Sequence, residues 1–142
     1  MLFRSGVDVV EVQEVIRYQA MTVVPLVSPV VRGLINLRGQ IVTALDLRRT
    51  LGLPPLPDEE LPVNVVIRDG ADEAVSLLVD QIGDVVDVAD VPFEDVPPTL
   101  TGPARDLVLG AYKLPDALLL VLDTRRVQDE HLRQTTPAAA AV

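Results

Sequence analysis

Cysteine is absent from the 142 residues, which removes disulfides, thiolate nucleophiles and cysteine-held metals. Tryptophan is absent as well, and Phe3, Tyr18, Phe93 and Tyr112 are the whole aromatic complement. One histidine (His131) and one lysine (Lys113) leave little material for a histidine metal site, a catalytic triad or lysine chemistry. The longest apolar run, Ala117 to Leu122, falls far short of the roughly 20 residues of a membrane-spanning helix. The opening Met1-Leu2-Phe3-Arg4-Ser5-Gly6 lacks the apolar stretch and cleavage site of a secretion signal. The expectation is a soluble, cytoplasmic chain with no metal and no cofactor.

What is abundant is valine (25) and leucine (21). Valine suits the pleated, half-buried surface of a sheet. Twelve prolines and eight glycines fit many short strands broken by turns. The fold class expected is all-β. Charge is uneven: residues 1–57 carry a net +2 and residues 58–142 a net −11. An acidic second half repels nucleic acid and anionic lipid, and the aromatics needed to stack bases are missing. Neither nucleic-acid binding nor direct membrane insertion is expected.

An internal repeat organises the sequence. Residues 31–49 (VRGLINLRGQIVTALDLRR) align without a gap on residues 108–126 (VLGAYKLPDALLLVLDTRR). Gly33 meets Gly110, Asp46 meets Asp123, and Arg48-Arg49 meets Arg125-Arg126. A second block, offset by 72, sets Val7-Asp8 on Val79-Asp80 and Val24-Pro25 on Val96-Pro97. Glycine and an Asp-x-Arg-Arg end are not hydrophobic filler, so a duplicated lobe is the better reading. Val63–Arg68 and Ala74–Asp80 read as a hairpin around a turn at Asp69–Asp72. Gly33–Leu37 and Gln40–Leu45 form another, turning at Arg38-Gly39. Asp46 stands where the N-cap of a short helix would be, with Gly52 at its end.

The expected organisation is a first lobe over about residues 1–53, a proline-rich linker at 54–62 and a second lobe over 63–126. A short helix near Val127–Arg133 and a disordered tail at 134–142 follow. Sixteen residues precede Val79-Asp80 as a hairpin, whereas only six precede Val7-Asp8. The first lobe is therefore expected to lack its opening strand.

Catalysis finds little support. Ser5, Ser28 and Ser76 have no histidine base at hand, and His131 sits in the charged stretch Gln-Asp-Glu-His. Asp84, Asp87 and Asp90 recur every third residue, but without the glycine and closing glutamate of a calcium loop. They read as a solvated acidic edge.

The most specific constellation is Gly33-Leu34-Ile35-Asn36-Leu37-Arg38-Gly39-Gln40 with Asp46-Leu47-Arg48-Arg49. Val7-Asp8-Val9-Val10-Glu11-Val12-Gln13-Glu14-Val15 precedes it, and Leu78-Val79-Asp80-Gln81-Ile82 follows. In this order the four segments resemble the CheW-like family of chemotaxis coupling proteins, across about residues 7–130 as a single domain. The resemblance implies two SH3-like, five-stranded barrel lobes, consistent with the repeat. It implies a non-catalytic adaptor that joins methyl-accepting chemoreceptors to the regulatory domain of the histidine kinase CheA, at cytoplasmic arrays beneath the inner membrane. Receptor contact carries over to Val12, Glu14, Gly33, Asn36 and Arg38; kinase contact falls on Val63, Ile82 and Val85. Thr43-Ala44 departs from the family, which often has proline before an aliphatic residue there. An adaptor of a twitching-motility or other regulatory array, or a regulatory domain cut from a larger kinase, would share these motifs.

Overall fold

Strand formation follows the valine-rich segments, and the two sheets that result are wound through each other. The computed structural model describes residues 2–23, 25, 29–54, 57, 60–68 and 74–129. In chain order the strands are β1 (Leu2–Gly6), β2 (Val12–Ile16), β3 (Val31–Leu37), β4 (Gln40–Asp46), β5 (Val63–Arg68), β6 (Ala74–Val79), β7 (Phe93–Glu94), β8 (Val108–Lys113) and β9 (Ala117–Leu122). The helices are α1 (Leu47–Thr50) and α2 (Pro103–Asp106), with a 3₁₀ turn at Val9–Glu11. Residues 124–129 are helical, so the expected C-terminal helix begins earlier than Val127. The expected tail at 134–142, the turn at Asp69–Asp72 and His131 lie outside the described residues.

The repeat is structural. β3–β4 and β8–β9 are both antiparallel hairpins, with the same register shift between Val31 and Gly33 and between Val108 and Gly110. Asp46 N–H donates to Val30 O at 2.7 Å, and Asp123 N–H donates to Leu107 O at 2.8 Å. Each aspartate carboxylate then accepts the amide three residues on, Arg49 or Arg126, at 3.2 Å. A side chain that satisfies a free helical N–H is what fixes aspartate at this position twice. Gly33 and Gly110 share a second constraint. A Cβ on Gly33 would stand 2.8 Å from Thr22 O, and one on Gly110 would stand 2.6 Å from Glu94 O. Thr22 bridges to Leu34 as Glu94 pairs with Ala111, so in both halves a crossing backbone is seated on the glycine.

The lobes are not the contiguous halves expected from sequence. One sheet has the order β2-β5-β6-β4-β3 and the other β1-β9-β8-β7. β6, just ahead of Val79-Asp80, runs parallel to β4 of the first repeat. β1, just ahead of Val7-Asp8, runs parallel to β9 of the second. Each repeat thus lends its opening strand to the other's sheet. This corrects the boundary that placed Val63–Val79 in a second lobe and residues 2–6 in the first. It also moves the expected shortfall: the sheet around β3–β4 has five strands, and the sheet that contains β1 has four. Hydrophobic pattern identifies a strand but not the sheet it joins, because parallel partners are connected over long crossovers.

Alternation along β5 and β6 explains the core. Val65, Ile67, Val75 and Leu77 face a cluster that includes Leu45, Leu47, Val108, Leu118, Leu120, Leu122 and Val127, so both sheets close on one core. Val66 and Ala74 face the other way, against Ile35 and Val42. Both faces of these central strands are covered, which accounts for their nearly unbroken apolar sequence. The polar interruption is satisfied: Ser76 Oγ donates to Asn64 Oδ1 at 2.7 Å, and Asn64 Nδ2 donates to Arg17 O at 3.2 Å.

Candidate functional site

The β3–β4 hairpin turns on two residues, Arg38 (φ 52°) and Gly39 (φ 85°). Positive φ at both positions is the pattern of a type I′ turn, whose twist matches that of the strands it joins. Asn36 locks the turn by accepting Gly39 N–H on Oδ1 at 2.9 Å. Glycine relieves one of the two left-handed positions; arginine at the other is unfavourable for its backbone. Its side chain supplies the compensation. Arg38 Nη2 donates to Glu14 Oε1 and Oε2, each at 2.7 Å, and Nη1 donates to Oε2 at 3.0 Å.

This pair joins the hairpin of β3 to β2, the strand at the opposite end of the five-strand order, so the sheet is strongly curled. The partners differ in exposure, 67% for the Arg38 side chain and 22% for that of Glu14. The carboxylate is the seated anchor, and the guanidinium is held on the surface with donor capacity left for a partner. Asn36 is exposed beside it and pairs across the hairpin with Ile41, itself 62% exposed. Ile41 was missed in the sequence reading. Val42 and Ala44 point inward, and that parity alone turns Ile41 outward.

Two of the sequence-designated receptor residues do not belong to this surface. Gly33 is buried beneath Thr22 and Met21 and has no side chain to offer; its role is to admit the crossing backbone. Val12 is half-buried and packs against the large core instead of standing free. The exposed valines of this region are Val9, Val10 and Val15. Glu14, Asn36 and Arg38 come together. Val63 lies on β5, half-buried opposite Val79. Ile82 (48% exposed) and Val85 (82% exposed) lie on the irregular segment after β6, apart from the Arg38 turn in the chain's order of elements.

A shallow cleft lined by Tyr18, Arg32, Asp46, Arg48, Glu60 and Asp80 has both of its cations paired. Arg48 clasps Asp80 with Nε–Oδ1 at 2.7 Å and Nη2–Oδ2 at 2.6 Å, while Nη1 donates to Pro54 O at 2.8 Å. The hydrogen bonds it donates to Asp80 hold the Arg48 guanidinium more firmly protonated than usual, although desolvation opposes this. Arg32 reaches Asp46 at 3.4 Å. Both cations therefore have carboxylate partners, and the cleft fixes α1 to the chain after β6. Asp84, Asp87 and Asp90 are exposed; no carboxylate or histidine cluster that could hold a metal occurs among the described residues.

The CheW-like domain family matches residues 4–131. The chemotaxis protein CheW of Bacillus subtilis (strain 168) is 30% identical over 132 residues, covering 92% of this chain and 83% of that protein. CheW of Treponema pallidum (strain Nichols) is 25% identical over 125 residues, covering 86% and 74%. The crystal structure of the scaffolding protein TtCheW from Thermoanaerobacter tengcongensis superposes with a TM-score of 0.73 at 23% identity, over 84% of this chain and 76% of that one.

Proposed function

The chain belongs to the CheW-like family, a family of non-enzymatic scaffolds of chemotaxis, and from that premise we propose that it couples methyl-accepting chemoreceptors to the CheA kinase in the cytoplasm. The observation that carries this reading is the Arg38 turn. Its guanidinium is held outward by Glu14, beside the exposed Asn36 and Ile41. A helical receptor tip offers carboxylates, side-chain amides and apolar ridges. A planar guanidinium can bridge several such acceptors, and an apolar neighbour gives the contact area to bury.

In this reading Glu14, Asn36 and Arg38 meet the receptor, while Gly33 and Val12 hold the strands that present them. The kinase contact is placed on Val63, Ile82 and Val85, of which Ile82 and Val85 present most apolar surface. No described helix is long and apolar enough to cross a membrane. The test is co-sedimentation with receptor-bearing membranes and CheA. The wild-type chain is expected in the pellet with the kinase. A chain that stays in the supernatant with both partners present would overturn the proposal.

A further inference from the structure

Asp80 is the first residue after β6, and the segment it opens has few tethers of its own. Residues 81–88 form no helix or strand. Among the described residues, none of residues 81–86 makes a hydrogen bond. The next bonds along the chain are local: Ala89 N–H donates to Asp87 Oδ1 and Val91 N–H to Val88 O, each at 3.0 Å. This stretch nonetheless presents Ile82, Val85 and Val86 to solvent. Its hydrogen-bonded anchor is where it begins, at the Arg48–Asp80 clasp.

That clasp is built to hold a direction. Arg48 forks onto both carboxylate oxygens of Asp80 and also donates to Pro54 O. A forked pair fixes orientation as well as distance, and both side chains are partly shielded from solvent and salt. The turn that carries Arg48 is itself fixed, with Asp46 as its cap and Leu47 and Thr50 buried.

The internal repeat supplies a comparison. Arg125 aligns with Arg48, and Asp8 aligns with Asp80. Among the described residues no ion pair joins Arg125 to Asp8. Asp8 Oδ1 instead accepts Val10 N–H at 3.1 Å, and Asp8 O accepts Glu11 N–H at 3.0 Å. From there the chain enters the 3₁₀ turn and β2, which pairs with β5. The arginine clasp therefore occurs in the half where the following backbone lacks bonds of its own.

We propose that Arg48 is a positioning residue for kinase binding: through Asp80 it holds the segment bearing Ile82 and Val85 in the arrangement that the kinase receives. The proposal rests on the placement of the kinase contact at those residues. A loop held in advance gives up less conformational freedom on binding, so Arg48 raises kinase affinity without touching the kinase. Receptor binding is independent of it, because the Arg38 turn and Arg48 lie beyond opposite ends of β4.

The test is calorimetric titration of the full chain with the CheA regulatory domain and, separately, with a receptor-tip fragment, well below the melting temperature of every variant. Arg48→Lys leaves one compact charge that cannot span Asp80 and Pro54 O together. Its kinase affinity is expected to fall about fivefold or more as the segment loses its preorganisation, with receptor affinity unchanged. Asp80→Asn, which keeps the shape and removes the charge, should give the same pattern. Backbone amide relaxation by NMR should show residues 81–86 more mobile in both variants, with the strands unaltered. Kinase affinity unchanged in Arg48→Lys but lost in a joint Ile82→Ser and Val85→Ser variant would overturn the proposal and leave the kinase placement standing. Unchanged kinase affinity in that joint variant would remove the placement, and the proposal with it. Parallel loss toward receptor and kinase would make the clasp a general structural bond and would also overturn the proposal.

Discussion

Arg38 stands in a backbone conformation that a glycine or asparagine would adopt at less cost. For an L-residue other than these, left-handed φ costs roughly 1–2 kcal/mol, while an exposed ion pair such as that with Glu14 returns about 0–1 kcal/mol. Stability alone therefore does not favour arginine here. Arg38→Gly should melt about 3 °C above Arg38→Ala, the equivalent of about 1 kcal/mol for a chain of this size. Equal melting temperatures would show that the turn is not strained. Gly33 is the opposite case. Its close contacts are the backbone Thr22 O, 2.8 Å from the missing Cβ, and the side-chain Met21 Cβ at 2.9 Å. Gly33→Ala should cost about 1–3 kcal/mol by overpacking, measured by denaturant titration, whereas a surface role would leave stability unchanged. Both glycines of the hairpin were visible in the sequence. Their different duties were not, because the crossing of Thr22 over Gly33 is a contact between segments without a local pattern.

Elements that are repeated were the most legible. Asp46 and Asp123 recur because each caps a helical turn, and Gly33 and Gly110 recur because each lies under a crossing backbone. A repeated backbone constraint leaves a repeated residue. α2 left no such mark, and β7 left only Gly110: Phe93-Glu94 is a two-residue pairing, with the Phe93 ring tilted by 58° against Tyr112 at a centroid distance of 5.0 Å. The buried Asn64–Ser76 bond lies between β5 and β6, the strands that both cores share. Asn64→Ala removes the partner of Ser76 Oγ and of Arg17 O and should cost about 1–3 kcal/mol. Ser76→Ala added to it should cost less than the sum of the two single changes. Full additivity in a double-mutant cycle would mean that the bond contributes nothing to either strand.

At the scale of the whole molecule, exchange of β1 and β6 makes the two repeats mutually dependent. The sequence showed the duplication and the all-β class. It could not show the exchange, since β1 (LFRSG) shares no valine pattern with β6 (AVSLLV) and a strand's hydrophobic pattern does not name the sheet it joins. Because one core draws side chains from both sheets, unfolding should be a single transition, with circular dichroism and Tyr112-sensitive fluorescence coincident. Fragments cut at the linker, 1–57 and 58–142, should each be unfolded alone and regain sheet signal when mixed. Independent folding of either fragment would contradict the exchanged topology.

The adaptor reading rests most directly on the Arg38 turn, and one calorimetric comparison tests it. Wild type, Arg38→Ala and Arg38→Lys are titrated against a receptor-tip fragment and, in parallel, against the CheA regulatory domain. Arg38→Ala is expected to lose about 30-fold in receptor affinity, about 2 kcal/mol. Arg38→Lys should also weaken receptor binding, because one compact charge replaces a bridging fork. Kinase affinity should be retained by both variants. Unchanged receptor binding by Arg38→Ala, or equal loss toward both partners, would contradict the account.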